Sequence, residues 1–189
     1  LGAICRKAGV ALVADAAHPP GPTLNGKPAG TLADLSTLSF RPAKPVTTAE
    51  GGAVVTSDAA HAQRARDFRT HGIVRGDACE AKDAGGWYYE MQELGFNHRL
   101  TDLQCALGAS QLRRLDALIA RRRAIAAHYM DALADIPGLT LPTVRPGVES
   151  GWHLFVVRVA ADLRRAFFDR LRALGLGVQV HYIPVHMYP

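Results

Sequence analysis

Ser39-Phe40-Arg41-Pro42-Ala43-Lys44-Pro45-Val46-Thr47-Thr48-Ala49-Glu50-Gly51-Gly52 places one lysine just after an apolar run, inside a loop of proline, threonine and glycine. A lysine in that setting is a candidate to leave water and act as a nucleophilic amine, which requires surroundings that disfavour ammonium. Upstream, Val10-Ala11-Leu12-Val13-Ala14-Asp15-Ala16-Ala17-His18 reads as a buried strand, Val10–Ala14, ending in an aspartate. It follows a helix that closes at Gly9, an order that suits a parallel sheet. Leu35–Phe40 and Ala53–Thr56 read as further short strands on either side of the lysine loop.

A strand-end aspartate and a loop lysine are the pair that pyridoxal phosphate chemistry needs. The lysine forms the Schiff base, and the aspartate keeps the pyridine nitrogen protonated. Each residue has a plainer reading: Lys44 as a solvated loop lysine, Asp15 as a turn or cap, His18 as a structural histidine. Further motifs bear on the choice. They are Leu94-Gly95-Phe96-Asn97-His98-Arg99-Leu100-Thr101-Asp102, Ala106-Leu107-Gly108-Ala109-Ser110-Gln111-Leu112 and His181-Tyr182-Ile183-Pro184-Val185-His186. With the Asp15 and Lys44 runs, they resemble in order the DegT/DnrJ/EryC1/StrS family of sugar-nucleotide aminotransferases. Pro45–Gly52 and Trp87-Tyr88-Tyr89-Glu90-Met91-Gln92 most resemble the branch making UDP-4-amino-4,6-dideoxy sugars for pseudaminic acid.

The resemblance implies an α/β chain of the fold-type I pyridoxal-phosphate transferases. Residues 1–110 would be part of the large cofactor-binding domain. Residues 111–189 would be a connecting helix and a small α+β domain. It implies pyridoxal 5'-phosphate as cofactor, with Lys44 as Schiff-base lysine and acid/base, and Asp15 as partner of the ring nitrogen. His18 would lie near the phenolic oxygen, and Ser39 would hold the phosphate. Asn97 would reach the phosphate of a neighbouring subunit, which implies a homodimer with shared active sites. His181, Tyr182 and His186 would meet the nucleotide-sugar substrate, with glutamate as the amino-acid donor. Some relatives carry histidine at the lysine position and are dehydratases; Lys44 points to transamination. Arg41 and His98 depart from the histidine and tyrosine common in the branch, which bears on substrate detail. Family members are about twice as long, and their N-terminal half supplies a phosphate loop and a ring-stacking aromatic. Two readings from other classes stand beside the enzyme. One is a fragment that folds but binds cofactor weakly; the other is a sugar-nucleotide-binding module without chemistry.

Composition sets the outer limits. The chain has 189 residues, 48% of them apolar, with mean hydropathy near zero, as in globular proteins. The apolar run at Val10–Ala17 is too short to span a bilayer, and no charged-then-apolar leader opens the chain. Cys5, Cys79 and Cys105 are odd in number and widely spaced, which argues against a disulfide framework or zinc site and suits a reducing cytoplasm. His181 and His186 lack a nearby third ligand, so no metal is expected. The net charge of +5 is dispersed apart from Arg121-Arg122-Arg123, which reads as a solvated helix face rather than a nucleic-acid contact.

Asp58 is expected to cap a helix running to about Thr70, and Thr101 or Asp102 to open a helical region reaching Leu133. His71–Asn97 reads as one long irregular stretch. Strands are expected near His153–Val159 and Gly177–Tyr182, with a helix over Asp162–Leu174 between them.

Overall fold

The computed structural model describes residues 1–18 and 20–189. In chain order the elements are α1 (Gly2–Ala8), β1 (Val13–Asp15), β2 (Thr23–Leu24), β3 (Lys27–Pro28), β4 (Leu35–Ser39), β5 (Gly52–Val55), α2 (Ala59–Phe68), β6 (Ile73–Arg75), β7 (Tyr89–Met91), α3 (Asp102–Leu112), α4 (Leu115–Ala132), β8 (Val148–Glu149) and α5 (Arg164–Ala173).

Helix ends follow local chemistry. Gly9 closes α1 in the left-handed conformation, φ 64°, which glycine adopts without a Cβ penalty. Asp58 caps α2 through the His61 N–H, and that bond holds its carboxyl below the usual carboxylate range. Thr101 caps α3 through a full capping box with Gln104. Arg113 and Arg114 separate α3 from α4, so the expected long helical region is two helices.

The central sheet has the order β1-β4-β5. β1 runs parallel to β4, with Asp15 opposite Thr37, and β5 returns antiparallel, with Gly52 opposite Ser39. The sheet is therefore mixed, because a single loop joins β4 to β5 and no crossover helix intervenes. The expected buried strand Val10–Ala14 is corrected. Its ladder begins at Val13, and Val10 and Val13 are 56% and 60% exposed, because nothing among the described residues packs over their side chains. The buried core includes Val46, Ile119 and Ala126, with Phe40 at its margin.

Among the described residues, the stretch read as irregular holds the antiparallel pair β6–β7, two strands of three residues each. Glu90 on β7 accepts the N–H groups of Ala81 and Glu80. These hold its carboxyl below its ordinary range and pin the intervening loop. Segments 67–72 and 93–98 are laced together by Phe96 N–H to Phe68 O, His71 N–H to Phe96 O and His98 N–H to Arg69 O, each at 2.8–2.9 Å. A Cβ on Gly95 would lie within 2.6 Å of three backbone atoms, Gly72 N, His71 C and Phe68 O. Backbone cannot rotate away as a side chain can. Gly95→Ala is expected to cost about 3 kcal/mol and lower the thermal midpoint by about 6–12 °C. Gly86→Ala, into open space, should stay within about 0.5 kcal/mol. Equal midpoints for the two variants in a melting experiment would refute the close approach.

Two compact units divide the chain: Leu1–Ala126 with Val144–Leu154, and Ala127–Thr143 with Phe155–Pro189. The division by compactness falls inside α4. Segment Val144–Leu154 belongs to the first unit. There β8 pairs with β2, the Arg122 guanidinium donates to the carbonyls of Trp152 and His153, and Arg123 donates to that of Ser150. Two of the three clustered arginines thus act as anchors rather than as a solvated face. In the second unit α5 forms close to its expected span. The strand expected near His153–Val159 contributes one isolated bridge, Thr140 to Arg158, and Gly177–Tyr182 joins no ladder. A strand needs a partner for its backbone groups, and a hydrophobic pattern alone does not supply one.

Candidate active site

Because β1 and β4 are parallel, their carboxyl ends lie at the same end of the sheet, where ligands bind in open α/β sheets. Asp15 closes β1 there and Ser39 closes β4. The Asp15 Oδ1 accepts the Ala17 N–H at 2.9 Å, and the Ala16 N–H continues the pairing to the Thr37 carbonyl. The carboxylate itself is exposed. His18 follows and rests on His153, ring centroids 4.8 Å apart.

The lysine loop is a closed structure. Its ends are tied by the Phe40 N–H to the Gly51 carbonyl at 2.9 Å. The Phe40 carbonyl accepts both the Thr48 N–H at 2.9 Å and the Thr47 hydroxyl at 3.1 Å. The Lys44 N–H closes a turn onto the Arg41 carbonyl. Pro45, Val46 and Thr48 are buried and Lys44 is half-buried, whereas Arg41–Ala43 are exposed. The backbone is bent at Ala49, φ 68°, a conformation that costs a non-glycine residue about 1–2 kcal/mol. An exposed Arg41–Glu50 ion pair at 3.7 Å spans the loop and contributes little.

Helix α3 braces this loop. A Cβ on Gly108 would lie 2.8 Å from the Thr48 methyl, so glycine sets the approach of helix to loop. The Gln104 side chain donates to the Glu50 carbonyl at 3.1 Å. Leu100 lies over Gly51, three residues after Asn97. Asn97 itself is exposed and bridges Thr70. The structure therefore brings Asp15, Ser39 and the Lys44 loop to one end of the sheet, with the Asn97–Thr101 segment reaching the same loop.

In the second unit, a cleft of about 630 Å³ is lined by Arg164, Arg165, Phe168, Gln179, Tyr182 and Met187, among others. Tyr182 lines it; His181, whose ring lies tilted 4.2 Å from that of Tyr182, and His186 do not. A smaller cavity of about 320 Å³ in the first unit is lined by Ala16, Pro20, Leu38, Val55, Thr56 and Ser57, among others, and does not include Lys44. Among the described residues no group of three or more His, Cys, Asp or Glu side chains could hold a metal ion. No helix among them is long and apolar enough to cross a membrane. Sequence reading took in Gly108 only as part of the Ala106–Leu112 run and passed over Gln104. The Thr101-x-x-Gln104 spacing was a visible capping-box signal, but nothing local announced the contact with Glu50.

Comparison with known proteins adds an independent line. The chain is 34% identical over 188 residues to the UDP-4-amino-4,6-dideoxy-N-acetyl-beta-L-altrosamine transaminase of Campylobacter jejuni, covering 98% of this chain and 48% of that protein. Helicobacter pylori PseC, an aminotransferase involved in the biosynthesis of pseudoaminic acid, superposes with a TM-score of 0.87 at 32% identity, over 99% of this chain and 49% of that one. A Streptococcus pneumoniae protein assigned as a sugar aminotransferase, solved in its PLP form, gives a TM-score of 0.81 at 28% identity, over 93% and 45%. The fold is thus the mixed α/β fold of the pyridoxal-phosphate-dependent aminotransferases, and the chain spans about half the length of these relatives. The family model for the DegT/DnrJ/EryC1/StrS aminotransferases matches residues 1–189, so the chain belongs to that family.

Proposed function

We propose that this chain is the lysine-bearing part of a pyridoxal-phosphate-dependent aminotransferase. Its reaction would move an amino group from glutamate onto a keto sugar linked to a nucleotide. The observation that carries this reading is the convergence of Asp15, Ser39 and the braced Lys44 loop at the carboxyl end of β1 and β4. A carboxylate, a hydroxyl and a half-buried amine at one end of a sheet are a donor set that fits the cofactor. Pyridoxal phosphate, when bound, supplies an aldehyde that takes up an amine and a ring that withdraws electrons.

The chain's own residues supply the rest. Lys44 Nζ is the amine that would hold the cofactor, and as a free amine it would take a proton from the substrate carbon and return it. The Asp15 carboxylate would keep a proton on the ring nitrogen. Ser39 Oγ would donate to the phosphate, and His18 would lie near the phenolic oxygen. Asn97 would donate to the phosphate held by a second copy, which would make a homodimer the working assembly. His181, Tyr182 and His186 meet the sugar nucleotide. We assign residues 1–110 to the cofactor domain and 111–189 to the connecting helix and small domain. The free thiols of Cys5, Cys79 and Cys105 suit a cytoplasmic location.

The test is direct. The full-length enzyme, given pyridoxal phosphate, glutamate and a UDP-linked 4-keto sugar, should form amino sugar and 2-oxoglutarate in equal amounts by mass spectrometry. Loss of water from the sugar without nitrogen transfer would replace this reading with a dehydratase. The exposure of Asp15 and of the β1 edge favours a second reading for the isolated 189-residue chain, which folds but holds the cofactor weakly. A cofactor titration followed by absorbance separates the two.

A further inference from the structure

One side chain outside the expected site is tied to the lysine loop. Gln104, in the first turn of α3, uses both ends of its amide. Its Oε1 accepts the Thr101 N–H at 2.9 Å and the Thr101 hydroxyl at 3.1 Å, completing the helix cap. Its Nε2 donates to the Glu50 carbonyl at 3.1 Å, across 54 positions of sequence. Chemistry fixes this orientation. The Thr101 N–H can only donate and the Glu50 carbonyl can only accept, so the bridging group must present an acceptor on one side and a donor on the other. A carboxamide does both. Glutamate, equally good in a capping box, does only the first.

The Glu50 carbonyl is where such a bond matters. It already accepts the Thr48 hydroxyl at 2.7 Å, so the amide of Gln104 occupies its second acceptor position. The peptide lies between Ala49, φ 68°, and Gly51, φ 151°, two conformations that L side chains rarely adopt. A backbone bent this way keeps its path only while surrounding contacts hold it. Thr48 is packed against Gly108 of the same helix, so α3 grips the loop at two points one turn apart.

We propose that Gln104 is a positioning residue for Lys44. It fixes the returning limb of the lysine loop to the first turn of α3, and so sets where the amine stands relative to Asp15 and Ser39. This deepens the reading of Lys44 given above and rests on it.

Gln104→Glu and Gln104→Ala in the 189-residue chain separate the two jobs of the amide. Gln104→Glu keeps the cap and should leave the first-turn amides of α3 protected, while the thermal midpoint falls by only the roughly 2–4 °C that one hydrogen bond is worth. The loop amides of Lys44, Thr48 and Ala49 should exchange about tenfold faster, the worth of one hydrogen bond. Gln104→Ala should loosen both loop and helix. Borohydride trapping of pyridoxal phosphate should also show the share captured by Lys44, relative to Lys27, falling about tenfold in Gln104→Glu. Wild-type loop protection in Gln104→Glu, or equal loosening of loop and helix, would overturn the proposal. So would an unchanged Lys44 share set against a clear wild-type preference. If the wild-type chain shows no preference for Lys44, the isolated chain holds the cofactor weakly, as the second reading has it, and the exchange data alone decide whether Gln104 clamps the loop.

Discussion

Lys44→Ala in the full-length enzyme should reduce amino transfer by at least about 10³-fold and abolish borohydride trapping of cofactor in this loop. The loss combines a missing nucleophile with a missing acid and base, and general acid–base catalysis alone contributes about 10²–10⁴-fold. The chain has four lysines, and the other three are poor substitutes. Lys7 lies in the last turn of α1 and Lys27 sits in β3, both exposed, and Lys82 is spent on the carbonyls of Asp77 and Cys79 at 2.7 and 2.8 Å. Lys44 is the only one of the four that is half-buried. Peptide mapping of the reduced protein decides the matter. Cofactor on Lys7, Lys27 or Lys82, with the Lys44 peptide unmodified, would remove the assignment.

Asp15→Asn should separate binding from chemistry. The amide has nearly the same shape, and its oxygen can still accept the Ala17 N–H, so the turn after β1 and the thermal midpoint should be preserved. What disappears is the negative charge that would hold a proton on the ring nitrogen. The variant should still take up cofactor, judged by absorbance, while turnover falls by about 10²–10³-fold, the usual cost of removing one preorganised electrostatic partner. Turnover near wild type would mean that another group, or none, serves the ring nitrogen.

Local chemistry was legible in the sequence wherever one residue settles an outcome. Gly9 stops α1, Asp58 caps α2, Thr101 opens α3, and the run from Leu35 to Ser39 forms a strand. Non-local chemistry was not. An apolar run does not say whether anything covers it, and Val13 stands exposed at a sheet edge. Strands β6 and β7 are three residues each, too short for an alternating pattern, and arise from pairing across a 13-residue gap between Arg75 and Tyr89. Extended segments such as Gly177–Tyr182 carry strand-like residues without a ladder. In the candidate site, the Asp15 and Lys44 motifs were visible, and so was the end of the strand that carries Ser39. The brace from α3 was hidden, because Gln104 looks like half of a helix cap until its second bond is seen.

The Lys44 loop has a consequence for how variants of this chain should be selected. Its ends are tied at Phe40 and Gly51, so changes at the exposed tip, Arg41–Ala43, need not disturb the sheet. Even doubling the length of a flexible connection costs only about 0.6 kcal/mol. Libraries sorted by expression, solubility or melting temperature will therefore retain insertions and substitutions here that carry the amine out of register. A screen blind to the amine would enrich well-folded chains that do nothing. Selection at this loop has to read Lys44 itself, by its chemical labelling or by product, from the first round.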